Sequence, residues 1–471
     1  MSGTKNTIAN PVNTKTMVSY GSGKFLAEFI AQAFGVVVFK FYETVVFEDA
    51  YALLPALAFI IYSVYNAFND PLIGYLTEKR TTRFSAKYGR RFPWIFIGSL
   101  LWVFSYVLIF AIPSILLANP FAAFVWMILS VCLFDTLYSL WDVNYQSIFP
   151  DKFRSEGIRQ RTIAIGTAVG VIGIALGFLI PSLAGLEDEN LIEPFIINSI
   201  MIAVISFFIV FILIPGTRET PKMIERYLED RKKGEEESFF SELINALKER
   251  NFAAWIILYF FYQSATVSFT ASMLYVGDYI LPEGETTTII FVGLLVGALI
   301  AIPLWQRINA QVLQNNQRTL MITALIMAFF FLPITLPQIN NSLGFSLFAF
   351  LGGLGFGGYW MIMTPALADV IDEIVVKTGK RNDGIFMGFR AFFGRFAFAV
   401  QAISFWLVHE ITGFNADIED QLETAILGIH IHMALIPAIF LLIGVFVFWR
   451  MNDLKPEKVN RIKTELKDMS L

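Results

Sequence analysis

The segment from Asn69 to Trp94 reads NDPLIGYLTEKRTTRFSAKYGRRFPW. It closes one apolar run, carries six Lys/Arg between Lys79 and Arg91, and passes through Phe92-Pro93-Trp94 into the next apolar run. Lys and Arg collect in the cytoplasmic loops of membrane proteins, so the pattern reads as two membrane spans joined on the cytoplasmic side. A carboxylate, Asp70, sits inside the first run. A charge at that depth costs about 2.5–3.5 kcal/mol on insertion scales, so Asp70 must face protein or water rather than lipid.

The whole chain agrees with this reading. Of 471 residues, 56% are hydrophobic and 16% charged, and the mean hydropathy is +0.61. Soluble domains average about 25% charged residues, so the chain reads as a multi-pass protein of the cell membrane. A formal net charge of −4 points to no nucleic-acid partner. Cys132 is the single cysteine, which excludes an intrachain disulfide and argues against a thiolate metal site. Of the three histidines, His430 and His432 are two apart, and a helix does not stack such positions. With no His/Cys constellation, neither a metal site, a cofactor nor an enzyme activity is expected. The N-terminal stretch to Val18 lacks the apolar core of a secretory signal.

Crossing about 30 Å of hydrocarbon takes about 20 apolar residues. Such runs fall near 24–47, 52–77, 93–117, 120–149, 162–184, 195–215, 252–281, 287–306, 319–337, 342–370, 385–412 and 425–450. The expected architecture is therefore all-α, with twelve transmembrane helices. A charged stretch divides them six and six: an N-terminal bundle (1–216), a cytoplasmic linker (217–251) and a C-terminal bundle with a tail (252–471). The segments after spans 2, 4, 6, 8 and 10 carry the Lys and Arg. Those after the odd-numbered spans carry none, and hold acids such as Glu48, Asp49, Glu187 and Asp420 instead. The alternation places both termini in the cytoplasm.

Few ionisable residues lie at membrane depth: Glu28 in span 1, Asp70 in span 2, Asp135 and Asp142 in span 4, Arg390 and Arg395 in span 11. Lys40, Glu43 and Asp278 end their spans and are expected to snorkel to the outer interface. Asn66 and Asp70 are four apart and share a helix face. Asp135, Ser139, Asp142 and Gln146 follow a 4-3-4 spacing, one polar stripe that must face the bundle interior or a watery cavity. Asp142 reads as a cavity residue; Asp135, nearer the outer end, fits a cavity role or an internal clasp. Arg395 is deep enough to require a carboxylate partner, with Asp142 and Glu28 as candidates. Arg390 reads as structural. Trp360, in a glycine-rich run, reads by itself as packing.

Four stretches together carry a resemblance: NDPLIGYL…GRRFPW, YGSGKFLAE, YSLWDVNYQSIFPD and LADVIDEIVVKTGKRNDGIFMGFR. In order and spacing they resemble the glycoside-pentoside-hexuronide:cation symporters, the melibiose-permease-like branch of the major facilitator superfamily. The resemblance spans the first eleven runs. It implies two pseudo-symmetric six-helix halves and an alternating-access symporter of a sugar or glycoside. The implied substrate site is Glu28, Asp142, Gln146, Trp360 and Arg395, and the implied cation site is Asn66, Asn69, Asp70 and Ser139. It also implies an alternative cargo, a lysophospholipid or other amphiphile, because animal relatives of the family carry such solutes. The chain departs from the family pattern at Asn66, where the family has a carboxylate, at Asn144, Gln146 and Asp383, and in a longer loop over Thr82–Tyr88.

The expected activity is thus cation-coupled uptake of a small polar solute by a monomer within the lipid bilayer; a non-transporting receptor or scaffold is the alternative outside transport. With Asp70 as the one charge among amide and hydroxyl dipoles, the coupling ion is expected to be a proton, with sodium as the alternative. The basic cluster Lys79, Arg80, Arg83, Lys87, Arg90 and Arg91 is expected to pair at the cytoplasmic gate with Asp369, Asp372 and Glu373.

Overall fold

The computed structural model describes residues 13–47, 51–79, 88–153, 156–183, 192–221, 223–224, 245–282, 286–336, 339–379, 383–416, 418 and 421–468. Among these lie twelve long helices: α1 (Thr14–Lys40), α2 (Leu53–Lys79), α3 (Phe92–Phe110), α4 (Pro120–Lys152), α5 (Glu156–Leu183), α6 (Ile192–Thr217), α7 (Arg250–Tyr279), α8 (Thr287–Ile308), α9 (Asn316–Phe331), α10 (Ser342–Thr378), α11 (Asp383–Thr412) and α12 (Glu423–Met451). A short terminal helix, α13 (Pro456–Asp468), follows. Eleven of the twelve are long and apolar enough to cross a membrane; α2 falls outside that group because Asn66, Asn69 and Asp70 dilute its apolar run. Most of the expected linker, 225–244, lies outside the described residues.

The helix ends follow from local chemistry. Asn13, Asn119, Asn315 and Asn341 cap α1, α4, α9 and α10, each accepting from a backbone N–H in the first turn at 2.7–3.1 Å. A cap of this kind is worth about 1 kcal/mol. Gly379 (φ +70°) ends α10 in the left-handed conformation that side chains resist, and its N–H donates to Val375 O at 2.8 Å. Helix pairs pack through small residues: a Cβ on Gly173 of α5 would lie 2.7 Å from Phe25 O of α1, so glycine alone permits that approach.

The two halves touch directly at the end that bears the acidic loops. Phe398 of α11 packs against Phe34 (5.8 Å) and Phe59 (6.5 Å), Phe405 against Phe39 (5.7 Å), and Phe178 of α5 stacks on Phe291 of α8 at 3.9 Å. Lys40, Glu43 and Asp278 do not snorkel as expected; Lys40 and Glu43 are buried inside this contact and Asp278 is partly buried beside Lys40. Lys40 pairs with Asp278 of α7. Glu43 accepts from the Tyr275 hydroxyl and meets His409 Nδ1 at 3.0 Å. His432 Nδ1 lies 2.7 Å from Ser272 Oγ. Cross-half partners supply what water would have supplied, so burial replaces snorkelling. Glu43 and His432 both sit in π-helical turns, Phe41–Val46 and Ile431–Leu435. Such turns rotate a side chain out of the ordinary helical register.

Candidate functional site

The site forms where α2, α4 and α11 meet beneath this closed end. Two members of the α4 stripe, Asp135 and Ser139, face the polar face of α2. Asn69 Nδ2 donates to Asp135 Oδ2 (3.2 Å) and to Ser139 Oγ (3.0 Å), and Ser139 Oγ in turn donates to Asp70. Tyr62, one turn before Asn66, donates to Asp135 Oδ1 at 3.2 Å. Asn69 Oδ1 accepts from Tyr65 at 3.4 Å.

Arg395 enters from α11, in the other half of the molecule. Its Nη1 lies 2.5 Å from Asp135 Oδ1, its Nη2 lies 4.0 Å from Asp70, and its guanidinium sits 4.7 Å over the Tyr138 ring. The expected partners, Asp142 and Glu28, are therefore corrected to Asp135 and, more distantly, Asp70. Asp135 is fully buried (0%), and a buried charge takes the nearest opposite charge. Two acids, Asp70 and Asp135, converge on one polar network with Asn69 and Ser139.

Asn66 is 1% exposed, and neither its amide oxygen nor its amide nitrogen has a partner among the described residues. Buried polar atoms without a protein partner cost about 1–3 kcal/mol each, so the Asn66 amide is free to meet a water or a ligand in this network. The amide oxygen of Asn66, the carboxylate of Asp70 and the hydroxyl of Ser139 are hard oxygen donors of the kind a small cation takes.

A second group of polar residues lines the cleft toward the basic-loop end. Glu28 is bound by Lys24, one turn earlier on α1, at 3.0 Å, and Asp142 accepts from Gln146 at 2.7 Å. Lys24 keeps 48% of its side-chain surface open to water, although the charges of Glu28, Asp142 and Arg390 surround it. Arg390 lies 5.5 Å over the Tyr259 ring of α7 and also faces Glu28. Trp360 of α10 is half-buried beside Phe356, their ring centroids 6.1 Å apart. Lys24 was visible in the sequence as the i,i−4 neighbour of Glu28, and Tyr62 as the i,i−4 neighbour of Asn66; neither was singled out.

The acids expected at the gate have partners within their own half. Asp369 is held by Asn316 at 2.8 Å and by Lys463 at 3.7 Å. Glu373 is held by Lys458 at 2.7 Å, Lys377 at 3.4 Å and Asn251 at 2.6 Å. Lys458 and Lys463 belong to α13. Asp372 is half-buried on the same stretch of α10. Arg80, Arg83, Lys87 and the side chain of Lys79 lie outside the described residues. The backbone N–H groups of Arg91 and Phe92 donate to Glu219 (2.8 and 3.1 Å), which closes the start of α3, and the Arg90 side chain is half-buried beside it.

Two helical halves, shut against each other at one end around a charged cleft, define a multi-pass membrane transporter of the alternating-access kind. The chain belongs to the MFS/sugar transport protein family, whose profile matches residues 19–452. It is similar to the glucuronide carrier protein homolog of Escherichia coli (strain K12), 24% identical over 96% of this chain and 95% of that one. It is also similar to the sodium-dependent lysophosphatidylcholine symporter 1 of Mus musculus, 22% identical over 88% of this chain and 81% of the relative. The fold matches that of a mutant of the nucleoside transporter NupG, with a TM-score of 0.57 and 12% identity over 93% of this chain and 99% of that one.

Proposed function

We propose that this transporter is a sodium-coupled symporter of a sugar or glycoside, not an enzyme, oriented with its termini and basic loops in the cytoplasm. The observation that carries the coupling is the convergence of Asp70 and Asp135 with the Asn66, Asn69 and Ser139 dipoles. A proton needs one carboxylate; a desolvated sodium ion favours several oxygens gathered around the negative charge. Two acids offset by one arginine leave one net negative charge among the Asn66, Asn69 and Ser139 dipoles, and that oxygen-rich setting supports sodium over the proton expected from the sequence. The relatives named as sodium-dependent support the same choice.

The substrate is read from the cleft. Glu28 and Asp142 are acceptors for hydroxyls, Lys24 and Arg390 are donors, and Trp360 offers a flat face for a sugar ring. A lysophospholipid is the second reading, supported by the named relatives and by Phe356 beside Trp360. One chain carries every residue of the proposed site, which fits a monomer.

Purified protein in liposomes, given labelled sugars or lysophosphatidylcholine under an imposed sodium or proton gradient, tests the reading. Sodium-driven accumulation of a glycoside is expected. Asp142→Asn is expected to weaken glycoside binding about tenfold, because an anionic acceptor binds a hydroxyl more strongly than an amide does. Accumulation of the lysolipid alone would transfer the assignment to the second reading.

A further inference from the structure

Asp135 is the one acid of the α4 stripe that the resemblance assigns to neither the sugar nor the cation. It is also the most completely enclosed member of the network. Two groups converge on it besides Arg395: the Tyr62 hydroxyl and the Asn69 amide. Arg395 is contained on its remaining sides by α2, where Ser63 Oγ donates to its backbone carbonyl at 3.4 Å, and by the Tyr138 ring of α4. The guanidinium thus stands between two carboxylates and leans decisively on one: 2.5 Å to Asp135 against 4.0 Å to Asp70.

We propose that Asp135 is a positioning residue that parks the Arg395 guanidinium away from Asp70 and so keeps Asp70 available to the coupling cation. The inference rests on the reading of Asp70 as the cation carboxylate. Its physical basis is competition for charge. A guanidinium and a sodium ion both seek the Asp70 carboxylate, and at 4.0 Å the guanidinium needs only a side-chain adjustment to reach it. Asp135 prevents this by offering a closer, fully desolvated carboxylate whose second oxygen is already held by Asn69. With Asp135 neutralised, Asp70 becomes the nearest charge able to satisfy a buried arginine, and the arginine takes the place of the cation. The two residues should therefore be coupled, with removal of the arginine relieving the defect left by removal of the acid.

The test is sodium titration of the purified protein in the absence of substrate, by calorimetry or intrinsic tryptophan fluorescence, for Asp135→Asn, Arg395→Gln, the double variant and Asp70→Asn. Asp135→Asn is expected to weaken sodium binding about tenfold or more, a loss of one charge–charge competition in a partly desolvated site. The double variant is expected to regain affinity to within about threefold of the parent, as a coupled pair should. Arg395→Gln alone is expected to bind sodium at least as tightly as the parent, and this variant decides the matter if Asp135→Asn does not fold. Unchanged affinity in Asp135→Asn, or a double variant as weak as Asp135→Asn, overturns the proposal; the second outcome makes Asp135 a direct ligand. Sodium binding that survives Asp70→Asn overturns the underlying reading instead.

Discussion

At the scale of single residues, Asn66 shows how a site is built at the expense of stability. An amide buried with both polar atoms unpartnered opposes folding, by about 1–3 kcal/mol per atom, unless a ligand repairs it. Leucine has the same branched heavy-atom shape and no polar atoms. Asn66→Leu is therefore expected to raise the unfolding temperature in sodium-free detergent solution. It is also expected to shrink the further rise that sodium produces in the parent, because a ligand that binds the native state stabilises it by mass action. A thermal scan with and without sodium, with potassium as the control, measures both. An unchanged sodium increment would separate Asn66 from the cation site.

At the scale of elements, α13 is bound to the end of α10 by a compact ionic cluster. Glu373 receives Lys458, Lys377 and Asn251, and Asp453 receives Lys458 and Asn251 at 2.7 and 2.6 Å. Leu454, Val459, Ile462 and Leu466 turn their apolar face inward beneath it. Burial alone would raise the Asp453 carboxyl, but hydrogen bonds from Lys458 and Asn251 hold it below the usual carboxylate range. Burial alone would lower the Lys458 ammonium, yet hydrogen bonds to Asp453 and Glu373 hold it above the usual lysine range. A depressed carboxyl stabilises docking above its unfolded value of about 3.9 and loses this as pH falls through the folded value. A raised lysine is fully effective below its unfolded value of about 10.4 and fails as pH rises through the folded one. Docking of α13 should therefore be constant across the physiological range. Hydrogen exchange over 456–468, corrected for intrinsic rates, is expected to show equal protection at pH 5.5 and 8.5. Glu373→Gln is expected to reduce that protection at both.

At the scale of the whole molecule, the buried pairs at the acidic-loop end set which side of the cleft is shut. Lys40 and Asp278 join α1 to α7, while Glu43 joins Tyr275 and His409 across the same boundary. Removing one member of a buried pair costs about 3–5 kcal/mol, because the other is left charged and unpaired. Lys40→Met is therefore expected to shift the population toward a state open at that end. A Phe59→Cys reporter in a Cys132→Ala background reads the shift, since Phe59 is buried between the halves. Labelling by an impermeant maleimide added outside intact cells is expected to quicken at least tenfold with Lys40→Met, about 1.4 kcal/mol of the available effect. Labelling only from the cytoplasmic side would reverse the orientation read from the charges.

The sequence alone determined the number of spans and the residues that share a helix face. Apolar length is set by bilayer thickness, and the polar stripes Asn66–Asp70 and Asp135–Ser139–Asp142–Gln146 follow from the helical repeat alone. The oxygen-rich network proposed as the cation site was legible for that reason, since α2 and α4 each carry their half of it on one face. Tertiary structure alone decided the partners. Arg395 and Asp135 are 260 residues apart, and Lys40 and Asp278 are 238 apart. Periodicity states which side chains point the same way along one helix, but not which faces meet when two six-helix halves close. Arg395 therefore reached Asp135 rather than Asp142 or Glu28, and Lys40 was buried rather than snorkelled, because those choices are made by the packing of α1, α2 and α4 against α7 and α11.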